Sequence, residues 1–155
     1  DAPVVLEVGT GKGRFIKEMA QAQPELNYLG IDKSPKWLRI GAQRMAKHDL
    51  SHVRLITVYA ENFLPLFIPN HSLSAVYILF PDPWPKKRHS FHRLMSIEFM
   101  NLLTDCLKTG GELFFALGVG HRNLLGRGIA GRLDVRASQR ETRSRFTPMS
   151  SVPNL

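Results

Sequence analysis

The sequence predicts a doubly wound α/β domain on a mostly parallel sheet. Three observations carry that prediction. Short apolar, β-branched runs alternate with amphipathic helical stretches through residues 1–118. The first run ends in a glycine-rich turn, and the second ends on an acid. Glycine and proline mark the element ends, leaving room for five strands joined by right-handed crossovers. Sheets of this kind bind ligands beyond the carboxyl ends of their strands.

PVVLEV (3–8) is apolar and β-branched, as a strand buried on both faces must be. Lys12 to Gln23 puts Phe15, Ile16, Met19 and Ala20 on one helical face, and Pro24 ends that helix. NYLGID (27–32) is the second strand. Ser34-Pro35 reads as an N-cap followed by proline at the first helical position. The helix from Pro35 to about Lys47 aligns Leu38, Ala42, Met45 and Ala46. VRLITV (53–58) is the third strand, and residues 59–68 form a short helix or loop that ends near Pro69. SAVYILF (74–80) is the fourth strand. Phe91 to Leu107 is a helix with Leu94, Ile97, Phe99, Leu102 and Leu103 on its apolar side. Gly110-Gly111 breaks it, and ELFFALG (112–118) is the fifth strand.

After Gly118 the pattern changes. Glycines and scattered arginines replace the apolar periodicity, and only Gly126–Val135 holds the outline of a further strand. Residues 1–118 are therefore expected to form the core, and 119–155 a divergent basic segment, loosely attached or irregular.

The net charge is +8 over 155 residues, and +5 of it lies in residues 118–155. Such an excess favours a polyanionic partner, of which nucleic acid is the commonest. The single cysteine, Cys106, rules out a disulfide within the chain and fits a reducing cytoplasm. It falls among Leu102, Leu103 and Leu107 in a helical pattern, so a buried, inert thiol is expected. The six histidines make no metal-ligand pattern with Cys106 or with acids, and no metal site is expected. No apolar run is long enough to span a bilayer. The chain opens on Asp1, almost on top of a strand, and reads as a piece of a longer protein.

The turn after the first strand is Glu7-Val8-Gly9-Thr10-Gly11-Lys12-Gly13. A dinucleotide fingerprint needs a glycine where Arg14 stands. An acid two residues before the first glycine would face a dianion in a pyrophosphate site. A ligand without phosphate but with a cationic centre suits Glu7 better, and S-adenosylmethionine has a sulfonium, an amino group and ribose hydroxyls. Asp32 ends the second strand, where ribose hydroxyls can donate to a carboxylate.

FPDPWPKKRH (80–89) follows the fourth strand. Pro81, Pro83 and Pro85 restrict the loop, so Asp82 and Trp84 are presented with little entropy left to lose. Asp82 falls next to the cofactor position of this topology. Lys86, Lys87 and Arg88 offer three consecutive cations to phosphates, with His89, His92 and Arg93 close behind. An acid at a reaction centre beside a polyanion grip fits methyl transfer to a nucleic-acid base.

On LEVGTGKGRFIKEMA, NYLGID and FPDPWPKKRH the chain resembles the tRNA (guanine-N7-)-methyltransferase family, Rossmann-like class I enzymes that use S-adenosylmethionine. The likeness runs from about Val4 to Ala116. It implies that Glu7, Gly9, Gly11, Asp32, Tyr59 and Ala60 lie at S-adenosylmethionine. It also implies that Asp82 sits between cofactor and guanine, and that Lys86, with Lys87 and Arg88, contacts tRNA. Three positions depart from the family. Tyr59 stands where a short polar residue is usual. Leu117-Gly118 replaces an expected Thr-Asp, so an acid that touches substrate is missing. The family's C-terminal substrate motif has no counterpart in 118–155, which suggests a divergent end or an altered reading frame. Two rival readings remain open: a class I methyltransferase with another RNA or protein substrate, and a non-catalytic RNA-binding module on the same fold.

Overall fold

A computed structural model describes residues 2–79, 96–118, 128–134 and 146–148, with side chains for 2–79 and 96–116. β1 (Val4–Val8), β2 (Asn27–Asp32), β3 (Val53–Thr57), β4 (Leu73–Leu79) and β5 (Leu107–Gly118) form the parallel part of one sheet. β6 (Gly128–Asp134) and β7 (Phe146–Pro148) continue it in antiparallel fashion. The strand order is β3-β2-β1-β4-β5-β6-β7. The chain starts in the middle, winds out to β3, then crosses back to β4. The reversal beside β1 is where such sheets open a ligand crevice.

Four described helices cover the sheet: α1 (Arg14–Ala22), α2 (Pro35–Lys47), α3 (Ala60–Phe67) and α4 (Ile97–Cys106). Alternate residues of β1 point to opposite faces. Leu6 and Val8 join Leu64 of α3 and Phe99, Leu103 and Cys106 of α4 in one core. Val5 joins Ile16 and Ala20 of α1 and Met45 of α2 in the other. The expected doubly wound fold is therefore the observed one.

Local differences have local causes. α1 starts at Arg14 rather than Lys12, because Gly13 has φ +66°, outside the right-handed helical region. α2 starts as expected, with Ser34 Oγ accepting from the Trp37 amide at 3.4 Å. Its inward face, however, is Leu38, Gly41 and Met45, while Ala42 and Ala46 are exposed. Gly41 allows the close approach. A Cβ there would lie 3.0 Å from Leu55 Cδ1 and 3.4 Å from the Lys12 carbonyl carbon. α4 is capped by Ser96, whose Oγ accepts from the Phe99 amide at 3.2 Å. Ile97, expected on the apolar side, opens that helix and is exposed. Residues 91–95 of the expected helix lie outside the described residues. Leu107, expected to close the helix, is extended at φ −76°, ψ 134° and begins β5. Residues 108–111 then bulge out of the ladder, so that Leu107 pairs with Leu73 but Glu112 with Ala75.

Two stretches after Gly118 are described, and both are strands. β6 pairs with β5 from Gly118–Gly128 through Glu112–Asp134, and β7 adds three further residue pairs. Antiparallel pairing uses backbone groups and needs no apolar periodicity, so the composition did not reveal it. β6 and β7 thus join the sheet from beyond residue 118. The weakly outlined strand within Gly126–Val135 is β6.

Candidate functional site

The glycine turn leaves β1 at the carboxyl edge of the sheet. The Gly9 and Thr10 amides both donate to the Ile31 carbonyl, at 2.8 and 3.1 Å, which binds the turn to β2. Gly9 has φ +79° and Gly11 φ +54°, and a Cβ on either would meet nothing within 4 Å. Glycine is needed there for conformation rather than for packing, and the space beside both is open.

Glu7 lies one position before the end of β1, between Gly30 of β2 and Tyr77 of β4. It is 5% exposed. Thr10 Oγ1 donates to its Oε2 at 2.6 Å. Burial pushes its pKa up to about 7; bonds from Thr10 and the Ile16 backbone pull it down, and Asp32 pushes it up. A carboxyl group so desolvated gains from any ligand that brings N–H donors or positive charge. Asp32, at the end of β2, accepts from the Gly11 amide on Oδ2 and from the Ser34 amide on Oδ1, both at 2.8 Å. One carboxylate thus fixes both the glycine turn and the entry to α2. Each oxygen keeps a further lone pair for a hydroxyl donor. The Asp32 carbonyl accepts from the Val58 amide at 2.9 Å, which brings the Tyr59–Ala60 corner alongside. Tyr59 is 58% exposed and Ala60 is buried.

Of the expected site residues, Glu7 and Gly9 belong to one set of hydrogen bonds, through Thr10 and Ile31, and Gly11 and Asp32 to an adjoining one, with Tyr59 and Ala60 beside them. Asp82, Lys86, Lys87 and Arg88, like Trp84, lie outside the described residues. The sequence reading missed three supporting residues. Thr10 holds Glu7, and its polar side chain inside a glycine turn was the available signal. Gly30 makes room for Leu55 and Thr10, since a Cβ there would lie 2.7 Å from Leu55 Cδ2, 3.0 Å from Thr10 Cγ2 and 3.1 Å from Ile16 Cδ1. A glycine inside a strand signals such close approach. Arg44 Nη1 donates to the Lys12 carbonyl at 2.9 Å and ties α2 to the turn; nothing in the sequence flags that pair.

The open turn and two carboxylates, one strongly desolvated, fit a ligand with hydroxyl donors and a cationic centre. Known proteins agree in fold and in family. A family model described as "Putative methyltransferase" matches residues 1–120. Solved structures share the fold. One is the precorrin-6y C5,15-methyltransferase of Geobacter metallireducens, with TM-score 0.60 and 18% identity over 77% of this chain and 55% of that one. Another is the 16S rRNA (adenine(1408)-N(1))-methyltransferase of Catenulisporales acidiphilia, with TM-score 0.59 and 22% identity over 79% and 60%. Curated relatives are nearer in sequence. The tRNA (guanine-N(7)-)-methyltransferase of Syntrophotalea carbinolica is 44% identical over 76% of this chain and 50% of its own length. That of a Geobacillus species is 40% identical over 74% and 52%. The chain spans about half the length of these relatives. With residues 1–120 matched by a methyltransferase model and identity of 44% across most of its length, the chain belongs to the tRNA (guanine-N(7)-)-methyltransferase family.

Proposed function

We propose that this chain carries the methyl-transfer core for N7 of a guanine in tRNA, with S-adenosylmethionine as cosubstrate. The observation that carries the reading is the pair of anchored carboxylates at the carboxyl edge, Glu7 held by Thr10 and Asp32 by the Gly11 amide, in a chain of this family. When bound, S-adenosylmethionine supplies an electrophilic methyl group on a sulfonium. Glu7 and Asp32 would hold its amino group and ribose hydroxyls, with the Gly9–Gly11 backbone and the Tyr59–Ala60 corner beside them. Asp82 is assigned to the reaction centre, at both cofactor and guanine. Lys86, Lys87 and Arg88 are assigned to the tRNA backbone.

Guanine N7 has a lone pair and no proton to lose, so the reaction needs alignment more than a base. Positive charge moves onto the purine during the transfer. A carboxylate at Asp82 can accept from the guanine N–H edge and stabilise that charge. A reducing, cytoplasmic setting belongs to the same reading, consistent with the free, buried thiol of Cys106. No described helix is long and apolar enough to cross a membrane.

Labelled S-adenosylmethionine and tRNA, followed by nucleoside digestion, test the activity; the expected product is 7-methylguanosine. Calorimetry with Glu7→Ala and Asp32→Ala tests the cofactor half, and each should weaken binding. Gly118, where the family carries an acid, favours a second reading: an RNA-binding module without turnover. Cofactor and tRNA binding with no labelled product would select it. Label on another nucleoside would select another RNA substrate.

A further inference from the structure

The described helical layers carry opposite charge. α1 and α2 hold Arg14, Lys17, Lys36, Arg39, Arg44 and Lys47 against one acid, Glu18. α3 and α4, on the other face, hold Glu61, Glu98 and Asp105 and neither Lys nor Arg. α2 alone has four cations and no acid in 13 residues. Its outward side runs Lys36, Arg39, Gln43, Lys47, all exposed, in steps of three and four. That spacing draws one stripe along a helix, about 16 Å long at about 1.5 Å per residue. Ala42 and Ala46 are exposed next to it and offer no bulk to hold a partner off.

The stripe begins beside the glycine turn. Lys12 Nζ lies 4.6 Å and Lys36 Nζ 5.2 Å from the centroid of the Trp37 ring, and the indole is 38% exposed. One aromatic ring thus gathers two ammonium groups at the edge of the site. Their mutual repulsion is relieved by an anion. Among the described residues, the other exposed large apolar side chains are Tyr59, at the edge of the site, and Leu66, Phe67 and Ile97 of α3 and α4, on the other side of the sheet. A membrane surface would need such anchors near the cations. A protein interface of ordinary composition is depleted in lysine.

We propose that the outer face of α2, continued by Lys12 and Trp37, is a second docking surface for the phosphate backbone of tRNA. Its residues are other than Lys86, Lys87 and Arg88, and it rests on the reading of tRNA as substrate. The stripe leads away from the carboxyl edge along the flank of the sheet. RNA laid on it therefore remains continuous with a nucleotide at the site, while the acidic α3–α4 layer faces away. The surface grips phosphate, so it positions the substrate without reading its sequence.

The test is tRNA binding by the full chain across a series of salt concentrations, with cofactor affinity measured in parallel. In Lys36→Gln/Arg39→Gln/Lys47→Gln, the plot of log affinity against log salt should flatten by about two to three units, roughly 0.7–0.9 for each phosphate left without its cation. Lys47→Gln alone, at the far end of the helix, should flatten it by about one unit. Cofactor affinity should stay at the wild-type value in both. Glu98→Gln/Asp105→Gln on the opposite layer should leave the slope unchanged. Wild-type slopes in the triple and the single α2 variant, with salt-dependent tRNA binding by the parent chain, overturn the surface and leave tRNA as substrate. A parent chain that binds no tRNA overturns both.

Discussion

Glu7 has almost no water around it, and a neighbouring acid shares its surroundings. Its pKa of about 7 sits well above the ordinary 4.5, chiefly because burial penalises the charged form. The sign of the consequence follows from proton counting. Between about pH 4.5 and 7 the unfolded chain releases this proton while the folded chain keeps it. Stability from this group is complete below the unfolded value and is lost as pH rises through the folded one, by an amount on the order of 3 kcal/mol. The melting temperature without ligand should therefore fall from pH 5 to pH 8. Glu7→Gln should flatten that fall, and a slope equal to wild type would show that another group governs it. The loop residues invite a different measurement. Asp82→Ala should lower methyl transfer far more than tRNA affinity. Lys86→Ala/Arg88→Ala should do the reverse and reduce the salt dependence. Equal losses of the same property in both variants would contradict this division of labour.

At the scale of elements, the site is held by helices as much as by strands. α2 approaches β3 and the glycine turn because Gly41 has no Cβ, and Arg44 then reaches the Lys12 carbonyl. Arg44→Ala removes a partly exposed, charge-assisted bond. Its effect should appear mainly in the turn: cofactor affinity about fivefold weaker, equivalent to about 1 kcal/mol, with a smaller change in melting temperature. Gly41→Val should act through packing instead. The added methyls must push α2 away from Leu55 and Lys12, at a cost of about 1–3 kcal/mol by chemical denaturation. Wild-type stability in that variant would mean that α2 can shift without loss. The elements themselves were largely legible. Ser34-Pro35 announced α2, and the β-branched runs announced β1 to β4, because caps, turns and alternation are encoded by near neighbours. The facing of α2 was misread. Ala42 and Ala46 looked apolar enough for the core, and Gly41 offered no hydrophobic signal at all.

For the whole molecule, β6 decides what becomes of the edge of β5. The seven residue pairs from Glu112–Asp134 to Gly118–Gly128 cover backbone groups that would otherwise be open to another chain. A chain shortened to residues 1–118 should keep its α/β core but expose β5 as an edge. Light scattering should then rise with concentration at temperatures where the longer chain stays monodisperse. Scattering identical to that of the longer chain would show that β6 is dispensable as a cover.

The sequence by itself determined the alternating α/β plan, the glycine turn, the acid at the end of β2 and the charge excess. Each of these is written in a short window or in composition alone. Tertiary structure decided which groups meet. Thr10 serves Glu7, Gly30 makes room for Thr10, and Arg44 holds a carbonyl 32 positions away. It also decided that α2 turns its cations outward opposite an acidic layer, and that a glycine- and arginine-rich segment extends the sheet. These outcomes depend on distances between residues remote in sequence. Burial, which sets the charge of Glu7, exists only after the strands on either side of it have packed.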